Sequence, residues 1–264
     1  MKTLRSTVLR VAAGLGKRLG VDVIPSWRLE HRELELHLRD IIRAYRVDAV
    51  LDVGANQGQF RSILRNHVGF EGRVISFEPV PELARTLKSA SLEDPAWTVR
   101  DCALGAFDGE QPLNVTHDTV MSSFLQPSAE APHPRIAELS VIVRQETVPV
   151  RRLDSLWPEL WQGNEPRRPF LKVDTQGWDL EVLEGAAGVL KSIPAILTEL
   201  SLKPIYSNQP GYRVVLDRME EAGFSLSGIF PVVRDPARRL IEMDCIFVND
   251  LLAAEVAAGR AGPA

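Results

Sequence analysis

In Val50-Leu51-Asp52-Val53-Gly54-Ala55-Asn56-Gln57-Gly58, an apolar run delivers a carboxylate and two glycines into the start of a helical pattern. Small residues at that spacing let a backbone pass close to a ligand with no β-carbon in the way. The pattern is Asp-x-Gly-x-x-x-Gly, not the Gly-x-Gly-x-x-Gly that wraps a pyrophosphate on a helix N-terminus. It suits a ligand without phosphate but with positive groups, and S-adenosylmethionine, with an α-amino group and a sulfonium, fits. Asp52, Gly54, Asn56 and Gly58 are its candidate contacts. Glu78 closes the next apolar run, where a carboxylate can accept hydrogen bonds from both ribose hydroxyls. Asp101 closes a third, placed for the adenine amino group, with Cys102, Ala103 and Leu104 expected along the ring.

An alcohol is a poor nucleophile until its proton is accepted or its oxygen is bound to a cation. Asp174, at the end of Phe170-Leu171-Lys172-Val173, is the leading candidate for either task, and Glu199, in Leu197-Thr198-Glu199-Leu200, is expected beside it. Two adjacent carboxylates repel, which a shared proton or a hard divalent cation resolves. Magnesium held by Asp174 and Glu199 is therefore the candidate metal. Lys172 points to the same side as Asp174 and reads as a neutralising partner. His117 lies beside Asp118 in an irregular stretch and is a candidate base or ligand carried over the pocket by a loop, with a solvated histidine as the alternative.

Strand and helix patterns alternate around these residues, which argues for a mostly parallel sheet covered on both faces. Strands are expected at 49–53, 74–77, 98–102, 170–173 and 195–200, helices at 34–45, 81–91, 153–161, 180–190 and 212–222, and a closing hairpin at 224–232 and 240–248. An N-terminal helical extension (1–46), a main domain (47–250) with an insertion at about 107–150, and a C-terminal tail (251–264) follow from this reading.

The chain has 264 residues, 45% hydrophobic and 25% charged, as expected of a globular protein with a real core. A formal net charge of -4 provides no positive field to gather nucleic acid. The two cysteines, Cys102 and Cys245, sit in apolar runs and fit a reducing, cytoplasmic setting. Lys2, Arg5, Arg10, Lys17 and Arg18 around Leu4, Val8, Leu9, Val11 and Leu15 make a basic amphipathic pattern. Such a segment suits peripheral contact with an anionic membrane at its inner face, or packing on the domain or on the second copy in a homodimer.

The run from Phe170 to Ala186, Phe-Leu-Lys-Val-Asp-Thr-Gln-Gly-Trp-Asp-Leu-Glu-Val-Leu-Glu-Gly-Ala, resembles the FkbM-type methyltransferases. The resemblance extends to the Asp52 turn, Phe77-Glu78-Pro79, Ala103-Leu104-Gly105, Met121-Ser122-Ser123 and Leu153-Asp154-Ser155, in that order. Gln176 stands where that family usually has Glu, and Asp179 where Glu is common. The resemblance implies a Rossmann-like class I methyltransferase fold, α/β, with a seven-stranded sheet and an antiparallel last strand. It also implies O-methylation of a hydroxyl, often on sugars and natural products. The acceptor expected is a small molecule, an oligosaccharide or a glycolipid. Two other readings stay open at this point: a nicotinamide-dependent oxidoreductase, and a non-catalytic adenosyl-ligand-binding protein.

Overall fold

The computed structural model describes residues 29–161, 163 and 168–259; the basic amphipathic pattern of the first twenty residues lies outside them. Seven strands form the main sheet: β1 (Ala49–Val53), β2 (Arg73–Phe77), β3 (Trp97–Arg100), β7 (Pro169–Val173), β8 (Ala195–Ser201), β9 (Phe224–Arg234) and β10 (Leu240–Asn249). Their order is β3-β2-β1-β7-β8-β10-β9. The first five run parallel, and β10 lies antiparallel between β8 and β9. The order reverses between β1 and β7, and ligands of open α/β sheets bind at such a switch point, beyond the carboxyl ends of the strands. The remaining strands, β4 (Ala103–Leu104), β5 (Gly109–Thr116) and β6 (Ile142–Arg151), make a separate small sheet in the order β4-β6-β5.

Every residue of β1 and β7 is buried, as expected where helices cover both faces of a parallel sheet. On one face Val50, Phe170, Leu197 and Ile246 pack with Leu38 of α1 (Leu29–Ala44) and Phe60 of α2 (Gln59–Ile63). The other face, with Leu51, Leu171, Ile196 and Cys245, packs on α5 (Leu153–Trp161), α6 (Asp179–Gly185) and α7 (Tyr212–Glu221). By the two-residue period of a strand, Asp52, Lys172, Asp174 and Glu199 fall on the first face. The remaining helices are α3 (Pro81–Ser91), α4 (Pro134–Leu139) and α8 (Asp250–Ala257). Pro81 opens α3 with a preset φ and no amide proton to satisfy, and Glu82 in the first turn and Lys88 in the last complement the helix dipole.

Three elements depart from the sequence reading. The third strand stops at Arg100, and the chain turns through Asp101 and Cys102 before Ala103 and Leu104 join the small sheet beside β6. The helix expected to reach 190 ends at Gly185, whose α-carbon lies so close to the Gly105 carbonyl that a β-carbon there would stand 1.9 Å from it. Residues expected as a tail form α8, capped by the Asn249 side chain, which accepts from the Leu251 and Leu252 amides. The 107–150 stretch is built mainly from the β5 and β6 pair, and its loop carries α4 and a 3-10 turn at Thr119–Met121. No described helix is long and apolar enough to cross a membrane.

Candidate active site

A cavity of about 330 Å³ opens at the carboxyl ends of β1, β2 and β7. That volume lies within the range of small-ligand sites. Its floor is the turn after β1, where Gly54 (φ 76) and Asn56 (φ 48) both take the left-handed conformation. A β-carbon on Gly54 would stand 1.9 Å from the Asp174 carbonyl, so only glycine lets the β1 and β7 turns meet. Glu78 is buried beside the cavity and pins that floor. Its Oε2 accepts from the Asn56 amide at 2.7 Å and its Oε1 from the Val80 amide at 2.8 Å. A carboxylate has about four acceptor directions, so two remain for donors in the cavity. Burial pushes the Glu78 pKa up to about 7, against the pull of those two amides. Val80, Ala103, Leu104 and Leu113 add an apolar wall, and Thr119, Val120, Ser122 and Phe124 of the insertion face the same space.

Of the expected cofactor contacts, Gly54, Asn56, Glu78 and Ala103 line the cavity, and Asp52, Gly58 and Asp101 do not. Asp52 is fully buried beneath the turn, accepting from the Ser76 hydroxyl at 3.0 Å and lying 3.4 Å from Lys172 Nζ. It supports the floor instead of facing a ligand. Asp101 is corrected more plainly: where the chain leaves the sheet its side chain stays 65% exposed and pairs with Lys88 at 2.7 Å.

Asp174 lines the cavity and Glu199 stands behind it. Lys172 Nζ lies 3.5 Å from Asp174 and donates to the carbonyls of Val53 and Gly54 at 3.2 and 3.0 Å. Burial opposes the lysine's charge, but Asp174 and Asp52 outweigh it and hold its pKa above the ordinary value. Lys172 therefore sits as a fixed cation between two carboxylates, as the sequence suggested.

The candidate metal pair is arranged differently from expectation. The Gln176 amide nitrogen lies 3.0 Å from Asp174 Oδ1 and 3.2 Å from Glu199 Oε2, so a neutral donor occupies the space between them. Among the described residues no group of three or more His, Cys, Asp or Glu is placed to hold a metal ion. A magnesium ion asks for near-octahedral oxygen ligation, and these residues do not fit it. His117 is likewise not brought to the cavity; it is exposed, at the end of β5, with its amide bonded to the Val141 carbonyl.

The structure adds Asp244, which the sequence reading passed over. It lies across from Glu199 on β10 and lines the cavity, and no donor among the described residues is within hydrogen-bond reach of its carboxylate. Burial, with Asp174 adding, raises its pKa to about 7. A lone acid in the middle of Met243-Asp244-Cys245-Ile246 was the available signal.

The sequence matches a family model described as methyltransferase FkbM domain over residues 52–226. No curated protein matches the chain. Several solved structures are similar. The fibrillarin of Aeropyrum pernix, with natively bound S-adenosyl-L-methionine, is 14% identical at a TM-score of 0.41, over 76% of this chain and 66% of that one; the chain thus spans just under two thirds of it. The precorrin-6y C5,15-methyltransferase of Geobacter metallireducens GS-15 is 13% identical at 0.41, over 82% and 87%. The magnesium protoporphyrin IX methyltransferase of Synechocystis PCC 6803 is 10% identical at 0.42, over 94% and 96%.

Proposed function

Because the chain belongs to the FkbM methyltransferase domain family, we propose that it is an S-adenosylmethionine-dependent methyltransferase whose acceptor is a hydroxyl group, carried by a sugar in a glycan, a glycolipid or a glycosylated natural product. The nicotinamide-dependent alternative falls with the family. The observation that carries the acceptor reading is Asp174: a carboxylate lining the cavity, beside the Lys172 ammonium and the Gln176 amide. Its two flanking donors hold the carboxylate at the cavity wall, and a carboxylate in that place can take the proton of an alcohol.

The residues present fit the cofactor. Glu78 has acceptor directions left for the ribose hydroxyls, Gly54 and Asn56 give a floor without bulk, and Val80, Ala103 and Leu104 offer an apolar wall for a purine. When bound, the cofactor supplies a sulfonium methyl, already a good electrophile. The chain then has to hold the acceptor oxygen in line with that methyl and accept its proton. Asp174 accepts it, Lys172 holds the Asp174 carboxylate in place through their ion pair, and Asp244 offers a second polar contact to a polyhydroxy ligand. A glycolipid acceptor would give the basic first twenty residues a role at a membrane surface.

The test is transfer of labelled methyl from S-adenosylmethionine to a panel of methyl glycosides and glycolipids. Label in an alkali-stable ether supports the reading. Label in alkali-labile esters, or on nitrogen, overturns it.

A further inference from the structure

We infer that Gln176 is a positioning residue whose side-chain amide clamps Asp174 and Glu199 together in the place a cation would otherwise take. The inference rests on the reading of Asp174 as the proton acceptor, and the geometry supplies the rest. An amide nitrogen has two protons, and here one carboxylate oxygen lies within reach of each, at 3.0 and 3.2 Å. The Asp174 end of the amide fixes which way it faces, because a turned amide would set its oxygen against the Asp174 Oδ1 lone pairs with no proton between them. At the other end Gln176 Oε1 lies 2.8 Å from the Tyr206 hydroxyl.

The backbone is held as firmly as the side chain. Gln176 sits at φ 55, a conformation that side chains other than glycine rarely adopt. Its carbonyl accepts from the Ser123 hydroxyl at 2.7 Å. Both Gln176 and Tyr206 are buried, and the Tyr206 hydroxyl also lies 2.9 Å from the Met121 carbonyl. Residues 126–128 and 205–207 are joined by backbone hydrogen bonds and an isolated bridge between Pro127 and Tyr206. The clamp therefore ties the 107–150 insertion to the turn that carries Asp174. One consequence is geometric: with Oδ1 spent on Gln176, Asp174 keeps Oδ2, on the Lys172 side, for the acceptor. A second is chemical: burial first, then the neighbouring Glu242 and Asp174, raises the Glu199 pKa well above the ordinary carboxylate range, and the neutral amide joins Glu199 to Asp174 without drawing off negative charge from Asp174, as a divalent cation would.

Two measurements on the full chain test this without an acceptor. In a manganese titration followed by electron paramagnetic resonance, the wild type should take up no ion at this site. Gln176→Glu, which swaps the donor for a third carboxylate, should bind manganese at least tenfold more tightly, and adding Asp174→Asn should abolish that gain. Wild-type binding that Asp174→Asn removes would overturn the inference. In a nitrogen–proton spectrum of the wild type, the Gln176 side-chain amide, identified by its loss in Gln176→Met, should lie away from solvent-exposed amides and move in Asp174→Asn and in Tyr206→Phe. A Gln176 signal at the solvent position, unmoved by either change, would also overturn it. Titration with S-adenosylhomocysteine in parallel separates the two readings: failure of the wild type to bind it sinks the methyltransferase site and leaves the amide result standing.

Discussion

The carbonyl oxygen of Asp174 occupies the space in which a β-carbon on Gly54 would stand, 1.9 Å away. The same two residues are joined electrostatically, since Lys172 lies 3.5 Å from the Asp174 carboxylate and donates to the Gly54 carbonyl at 3.0 Å. The cofactor turn and the catalytic turn are thus one packed unit, and neither can shift alone.

Gly54→Ala should break that unit. It adds a steric clash to a left-handed backbone, a conformation whose strain alone costs about 1–3 kcal/mol. Thermal unfolding should shift downward, and titration with S-adenosylhomocysteine should show binding reduced beyond detection.

Glu78→Gln keeps the shape of the side chain and one acceptor oxygen but loses the charge. A hydrogen bond to a charged group is worth about 1.5–3 kcal/mol, so the affinity for S-adenosylhomocysteine should fall by about 10- to 100-fold. The carboxylate is the better acceptor and its pKa is raised to about 7. Wild-type binding should therefore strengthen as the pH rises from 6 to 8, and calorimetry of Glu78→Gln should find that dependence flattened.

Asp52 and Asp174 should separate cleanly. Asp52 is buried under the turn against Lys172 and Ser76, and breaking a buried pair costs about 3–5 kcal/mol, so Asp52→Asn should show a loss of stability in chemical denaturation. Asp174→Asn should leave the affinity for S-adenosylhomocysteine within about twofold while methyl transfer falls by about 10²- to 10⁴-fold, the usual worth of a proton acceptor.

Stability should fall across neutral pH. Burial raises Glu78, Asp244 and Glu242 to about 7 and Asp179 to about 6. Each folded-state value lies above that of an unfolded carboxylate, so the folded chain holds the extra protons between about pH 4 and pH 7. The stability these groups contribute is full below their unfolded values and lost as the pH rises through the folded ones. Melting temperature should be higher at pH 5.5 than at pH 8, by about 2–4 °C for each kcal/mol lost, and Asp244→Asn should reduce the difference.

The parts of this arrangement written in local pattern were legible from the chain. Mostly apolar runs, each broken by one charged residue, marked β1 and β7, and the carboxylate, glycine and helix order marked the turn at Gly54. What could not be read was where side chains go once strands are paired. Asp101 ends an apolar run as Glu78 does, yet the chain leaves the sheet there and the side chain reaches Lys88 instead of the cavity. Asp52 and Glu78 look alike in sequence, but one is sealed beneath the turn and the other lines the pocket. Asp244 and Tyr206 depend on contacts between segments far apart in the chain, with Asp244 opposite Glu199 and Tyr206 against Gln176. No local period records such contacts. The expected magnesium site differs for a related reason: two adjacent carboxyl groups were anticipated, but the amide that bridges them was visible only once Gln176 was placed between the pair.

The central claim is that the cavity between the β1 and β7 turns binds an adenosyl cofactor through Glu78. Calorimetric titration of the wild type and Glu78→Gln with S-adenosylhomocysteine, with NADH as control ligand, tests it most directly. The account predicts one-site binding of S-adenosylhomocysteine to the wild type, weakened by about 10- to 100-fold in the variant, and no binding of NADH. Equal affinity in both proteins, or binding of NADH alone, would contradict it.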